Sequence, residues 1–204
     1  MLSSSKCEVN SPLQLFFNRN FSLLQLKNAD NQMVFRQIAL LLFMMAGTNL
    51  HAQEYFEKQY AGVWQRSLSY SKAVAEAMPA ERYRYKPTEE AMSFQRQWLH
   101  IADNISMLTA RITGDRKAFY NQEDASGFAK AEVLNILDSA NNYVLDLIRN
   151  ASASQLNETI EFGGVSMTKE NIFYLLRDHQ AHHRAQCLVY LRMNGVKAPD
   201  YVGW

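Results

Sequence analysis

Residues 172–195 read IFYLLRDHQAHHRAQCLVYLRMNG, and this stretch decides the fold class. Its apolar residues recur at intervals of three and four, which is the period of a helix that buries one face. The pattern predicts a helix that starts near Thr168 and ends at Asn194-Gly195, because glycine often closes a helix. The face predicted to be buried carries Ile172, Leu175, Leu176, His179, His183, Gln186 and Tyr190.

Three earlier segments have the same period and predict three more helices. The first ends at Pro79, since proline cannot continue a helix. The second is expected to begin after Pro87, with Thr88 as its N-cap, and to stop at Gly114. The third runs from about Lys130 to Asn150. The residues predicted to be buried in the first helix are Trp64, Leu68, Ser71, Ala75 and Met78. In the second helix they are Phe94, Trp98, Ile101, Ile105, Leu108 and Ile112. In the third helix they are Val133, Ile136, Leu137, Ala140, Val144 and Ile148.

One short segment departs from the helical period. Residues 159–167, TIEFGGVSM, alternate in polarity around two glycines and predict a small hairpin between the third and fourth helices. No other segment has a strand pattern. Four amphipathic helices in one small domain therefore indicate an all-α protein, a four-helix bundle with this hairpin added.

Composition excludes some classes of partner. The chain has 204 residues, 48% of them hydrophobic, and 21 basic against 20 acidic residues give a net charge of +1. A nucleic-acid partner would require a basic patch, and no such run occurs. We therefore expect no nucleic-acid partner and a small-molecule substrate. Only Cys7 and Cys187 occur, and no CxxC pair suggests a zinc finger or redox site.

Residues 33–52, MVFRQIALLLFMMAGTNLHA, have the order of a secretory signal peptide. Arg36 is the positive charge, Ile38–Ala46 is an unbroken apolar run, and a short region ending at Ala52 follows. Spanning a bilayer requires roughly 20 apolar residues, so we expect no stable membrane anchor. Cleavage near Ala52 would export the protein to the periplasm or the medium. The alternative is a buried N-terminal helix.

The signal interpretation divides the chain into three parts. Residues 1–32 are expected to be either the product of a misplaced start site, with translation beginning at Met33, or a disordered extension. Residues 33–52 are the signal peptide. Residues 53–204 then form the four-helix-bundle domain.

The histidines of the fourth helix form a candidate metal site. His179 and His183 are four positions apart, so they lie on one helical face about 6 Å apart at Cβ and could both reach one ion. His182, roughly sixty degrees round the helix, could replace one of them. The third candidate is His100, at the flank of the second helix's apolar stripe. The alternative is that these are core histidines bonded to the backbone or to tyrosines.

Three neutral imidazoles favour Zn²⁺ or Ni²⁺, and Fe²⁺ is an alternative. Mg²⁺ and Ca²⁺ fit such a site less well, because they prefer oxygen ligands. Three protein ligands would leave an open coordination position, which is typical of catalytic sites. The spacing of His179 and His183 also matches HExxH peptidases. However, Gln180 occupies the position of their general base, and an amide cannot accept that proton, so a peptidase of this class is excluded.

Two stretches resemble the two halves of the DinB/YfiT-like superfamily signature. They are MPAERYRYKPTEEAMSFQRQWLHIAD, residues 78–103, and RDHQAHHRAQCLVYLRMNGVKAPDYVGW, residues 177–204, and the resemblance covers roughly residues 54–204. It implies a four-helix bundle with one metal ion held by His100, His179 and His183. The chain departs from the signature at Ala185, where glycine is common, and only a slight local change is expected.

The resemblance implies several activities and settles none of them. Members of the superfamily include metal-dependent transferases that use thiols such as bacillithiol, mycothiol or glutathione, and others are hydrolases or isomerases. We expect an exported metal-dependent enzyme, a hydrolase or a thiol-dependent transferase, acting on a small substrate. Export weighs against thiol transfer, because thiol cofactors are mainly cytosolic.

Three questions stay open at the level of sequence. A module that binds a metal or a small ligand without turnover is the alternative to an enzyme. No side chain is identified as a catalytic base, because Asp178 is expected at the surface and Asp103 is expected to be solvated or to support a ligand. A homodimer through Tyr201 and Trp204 is also considered.

Overall fold

The computed structural model describes the backbone of residues 12–202 and the side chains of residues 32–41, 43 and 56–202. The chain divides into two compact units, Met1–Asn49 and Leu50–Trp204. Its elements are α1 (Pro12–Ala77), α2 (Phe94–Thr113), α3 (Lys130–Asn150), α4 (Ala153–Asn157), β1 (Thr159–Phe162), β2 (Val165–Thr168) and α5 (Lys169–Met193), with short 3₁₀ helices at Ala80–Arg82 and Gln122–Asp124.

In the first unit, the described side chains are those of residues 32–41 and 43, which include the start of the predicted signal peptide and part of its apolar run. They are exposed, and the large ones include Phe35 at 76% and Phe43 at 79%. The signal peptide and the alternative of a buried N-terminal helix both stay predictions. Within the described part of the chain, no helix is long and apolar enough to cross a membrane. The side chains of residues 44–52, with the predicted cleavage site, and Cys7 lie outside the described residues.

The second unit is a four-helix bundle, as predicted. The C-terminal part of α1 joins α2, α3 and α5 around a core whose largest fully buried side chains include Trp64, Phe94, Trp98 and Phe173. The Trp64 indole Nε1 donates to the Asn141 carbonyl at 3.0 Å, which ties α1 to α3. The predicted limits of α3 are confirmed, and those of α5 are confirmed to within a residue.

The predicted start of the second helix is wrong. Helix α2 begins at Phe94, and Ser93, not Thr88, is its N-cap, with its Oγ accepting from the Arg96 amide at 3.1 Å. The reason is tertiary: the Phe94 amide donates to the Tyr85 carbonyl at 2.9 Å, which holds the preceding segment as a loop. The predicted stop is confirmed, since Gly114 adopts a left-handed φ of 87°.

The predicted hairpin is confirmed. Strand β1 pairs antiparallel with β2, and Phe162 lies opposite Val165. Gly163 and Gly164 connect them with φ of 61° and 78°, values that favour glycine at both positions of a tight hairpin turn. The short helix α4, which the sequence did not predict, is capped by Ser152, whose Oγ accepts from the Gln155 amide at 3.2 Å.

Trp64→Ala is expected to lower the free energy of unfolding by about 3–5 kcal/mol, because it empties a core site. It also leaves the buried Asn141 carbonyl without its indole donor. Urea denaturation measures the change. Gln65→Ala alters the exposed neighbouring position and should stay within about 0.5 kcal/mol of the wild type. Equal losses from the two variants would contradict the assignment of Trp64 to the core.

Candidate metal centre

The three predicted histidines meet where α2 packs against α5. The ring centroids lie 4.4 Å apart for His179 and His183, 4.6 Å for His100 and His183, and 5.0 Å for His100 and His179. One ring nitrogen from each lies within 4.8 Å of the others. Two helices thus place three donors around one point, an arrangement that could hold a metal ion.

The shortest distance in this triad fits a coordination shell. His179 Nε2 and His183 Nε2 are 3.1 Å apart. Two imidazole nitrogens bound to one ion at about 2.0–2.1 Å are separated by roughly 2.8–3.0 Å in octahedral geometry and roughly 3.3–3.4 Å in tetrahedral geometry. The two side chains of α5 therefore already have the spacing of adjacent ligands.

Burial keeps the triad neutral. Burial and, to a smaller extent, the neighbouring histidines lower the pKa of His179 to about 4 and that of His183 to about 3. The pKa of His100 is also lowered, by burial and by the Arg96 charge, while Asp103 acts in the opposite direction. A metal ion requires unprotonated imidazoles, so this donor set suits a cation near neutral pH.

Gln97 is the functional residue that the sequence analysis missed. Its side chain is buried, with 1% exposed, and its Oε1 lies 2.5 Å from His183 Nδ1. Its Nε2 donates to Gln186 Oε1 at 2.6 Å and to the Tyr190 hydroxyl at 3.3 Å. The only sequence signal was an amide three positions before His100, on the same side of α2.

This network fixes the tautomer of His183. The Tyr190 hydroxyl donates to the Met92 carbonyl at 3.1 Å, so towards Gln97 it can only accept. The Gln97 amide nitrogen must therefore face Tyr190, which turns its oxygen towards His183. His183 Nδ1 then carries the proton, and the Nε2 lone pair faces His179. A histidine that binds a metal through one ring nitrogen needs a hydrogen-bond acceptor for the other, and the Gln97 oxygen is that acceptor for His183.

The other two histidines of α5, His179 and His182, have hydrogen-bond partners that differ from those of His183. His182 is exposed and lies outside the triad, and its Nε2 accepts from Gln186 Nε2 at 2.8 Å. The Nε2 lone pair of His182 is therefore engaged by Gln186. Among the described residues, the buried Nδ1 of His179 has no hydrogen-bond partner, and the polar contact of that ring is the one from its Nε2 to His183 Nε2 at 3.1 Å.

A second polar cluster flanks His100. Asp103 accepts from the Tyr120 hydroxyl at 2.7 Å and forms an ion pair with Arg96 at 2.9 Å, and the Arg96 guanidinium donates to Tyr120 at 3.0 Å. Burial raises the pKa of Tyr120 to about 12, so its hydroxyl remains a donor. Asp103 is thus mostly shielded from solvent and held by Tyr120 and Arg96.

Neither Asp178 nor Cys187 enters the site. Asp178 is exposed, as predicted, and pairs with Arg177 at 3.2 Å. Cys187 is a free thiol, and burial raises its pKa, which keeps it protonated.

Solved structures of DinB-like proteins have the same fold. A protein from Bacillus cereus aligns with a TM-score of 0.58 at 17% identity, over 68% of this chain and 93% of its own. A second, from Bacillus subtilis, gives 0.57 at 18% identity, over 70% and 96%. YfiT from Bacillus subtilis gives 0.56 at 16% identity, over 69% and 89%. YfiT is described as a probable metal-dependent hydrolase with an unusual four-helix bundle topology.

No curated protein matches the sequence. A family model for the DinB superfamily matches residues 61–187, which is more than half of the chain and includes all three histidines of the triad. This match and the fold agree with the resemblance of the two signature stretches. The chain therefore belongs to the DinB superfamily.

Proposed function

We propose that the protein is a metal-dependent hydrolase of small molecules. The observation that carries the proposal is the triad itself, three neutral nitrogens within 4.8 Å of one another. Within the part of the chain that the structure describes, no carboxylate or thiol joins this group. Three protein ligands leave a coordination position for water or substrate, which distinguishes a catalytic site from a structural one.

His100, His179 and His183 would hold the ion, with Zn²⁺ or Ni²⁺ favoured and Fe²⁺ the alternative. A divalent ion there would supply Lewis-acid chemistry for hydrolysis. Gln97 holds His183 in the tautomer that presents Nε2, and Asp103 fixes the Arg96 guanidinium beside the site. The description of YfiT, a member of the same fold, supports this choice of reaction.

The surroundings of the site favour a small substrate. A cavity of about 570 Å³ is lined by side chains that include Arg84, Lys86, Arg96 and Leu99. Arg96 lies one helical turn before His100, and none of the three histidines lines this cavity. Its volume is that of an ordinary small-molecule pocket.

The test combines metal content with turnover. We expect about one transition-metal ion per chain by elemental mass spectrometry, and hydrolysis of ester, amide or lactone probes that a chelator abolishes and the ion restores. The same panel offers bacillithiol, mycothiol and glutathione as acceptors. If the protein transfers a thiol in a chelator-sensitive reaction and hydrolyses no probe, the proposed activity is a thiol transferase and not a hydrolase. Bound metal with no turnover of any probe would favour the non-catalytic binding module.

We also propose that the protein is exported after cleavage near Ala52. The order of charge, apolar run and small residue in residues 33–52 supports this. Mass spectrometry of the protein from its native host should find Gln53 at the N-terminus. A peptide from residues 1–32 in the mature protein would contradict it.

A further inference from the structure

A polar cavity lies between α1 and the face of α5 that carries Arg184. It has a volume of about 320 Å³, and its lining includes Arg66, Ser67, Tyr70, Arg177, Asp178 and Arg184. Residues of α1 form one wall and residues of α5 the other. Arg184 directly follows His183 but points roughly 100° away from it round the helix, so this cavity is separate from the triad.

Arg184 is a partly buried cation without an acidic partner. Its Nη1 donates to Ser67 Oγ at 2.8 Å, to the Ser67 carbonyl at 3.2 Å and to Ser71 Oγ at 3.1 Å. The guanidinium carbon lies 5.0 Å from the centre of the Tyr70 ring. No carboxylate among the described residues pairs with Arg184, and its Nε and Nη2 have no hydrogen-bond partner there. Neither nitrogen belongs to the fully buried atoms that lack a partner, so both can be reached from the cavity and are available to an anion.

The rest of the lining increases the positive charge. Arg66 is exposed, and its side chain has no hydrogen bond or ion pair to the described residues. The charge of Arg177 is balanced by Asp178 at 3.2 Å, which leaves Arg66 and Arg184 unbalanced across one cavity. Guanidinium groups bind carboxylates and phosphates through two parallel N–H donors.

We propose that this cavity binds a small oxyanion, a carboxylate or phosphate group, between Arg184 and Arg66. Serine and tyrosine hydroxyls at its wall can complete the hydrogen bonding of such a group. The cavity volume suits a small acid or phosphate ester and excludes a large ligand. The proposal does not depend on metal binding or hydrolysis at the triad.

Calorimetric titration of the full chain with inorganic phosphate and, separately, with succinate tests the proposal. We expect at least one of the two anions to bind with a stoichiometry of one, more weakly as sodium chloride is added. Arg66→Gln and Arg184→Lys should each weaken binding about tenfold or more, because glutamine removes the charge at position 66 and lysine at position 184 cannot offer two parallel N–H donors. The stronger anion identifies the oxyanion class.

Two controls locate the anion. Arg192→Gln changes an exposed arginine of α5 outside the cavity and should leave the affinity unchanged. His183→Ala should also bind the anion normally, whereas loss of binding in that variant would place the anion at the triad and overturn the proposal. So would failure of both anions to bind at millimolar concentration, or equal affinity in Arg66→Gln and the wild type. If Arg184→Lys does not fold, Arg66→Gln decides, because its side chain is exposed.

Discussion

His183→Ala is expected to reduce bound transition metal from about one ion per chain to nearly none. The substitution removes the ligand nearest to both partners, since the His183 ring lies 4.4 Å from His179 and 4.6 Å from His100. Two imidazoles on different helices would remain, which is too few for a stable site of this kind. Elemental mass spectrometry after gel filtration measures the metal content.

His182→Ala is the matched control. It deletes the same side chain from the adjacent position of the same helix, but His182 is exposed and lies outside the triad. Its metal content should equal that of the wild type. If His183→Ala keeps its metal, or if both variants lose it equally, the triad is not the metal site and the histidines are ordinary core residues.

Gln97→Leu is expected to weaken metal binding about tenfold to a hundredfold, although Gln97 would not touch the ion. The change removes the acceptor of the His183 Nδ1 proton, so the ring is free to flip or to change tautomer. Competition with a chromophoric chelator measures the affinity. Nitrogen NMR of the metal-free protein should show that His183 no longer holds its proton on Nδ1.

Two further variants separate this role from a loss of packing. Gln95→Leu removes another buried amide of α2, whose Nε2 donates to the Ala125 carbonyl at 2.9 Å and which does not contact the triad. It should destabilise the fold without changing metal affinity. Gln97→Glu keeps an acceptor for His183 and should recover most of the affinity. Equal affinity losses in Gln95→Leu and Gln97→Leu would refute the positioning role.

The sequence predicted the parts of the fold that local pattern determines. The helical period located α3 and α5 to within a residue, and two glycines located the hairpin. The start of α2 was wrong because Thr88 and the glutamates after it form a strong local N-terminal signal. The loop contact of the Phe94 amide with the Tyr85 carbonyl outweighs that signal, and it depends on how the chain folds back.

The residues of the candidate site likewise differ in how far local sequence pattern predicts them. His179 and His183 follow from a spacing of four on one helix, whereas His100 required knowledge of which helix lies opposite. Gln97 was not predictable, because its importance comes from Gln186 and Tyr190 across the helix interface. A glutamine in an apolar stripe indicates only that a partner must exist. The arginine cavity likewise depends on the pairing of α1 with α5.

The all-imidazole composition of the triad has a consequence for inhibition. Carboxylate ligands would cancel part of an ion's charge, but the three histidines contribute none, so a divalent ion here would keep its full charge in a partly dry site. Such a centre attracts anions and electron-rich groups. Azide and cyanide should therefore compete with substrate, and buffer composition should influence measured rates more than total ionic strength does.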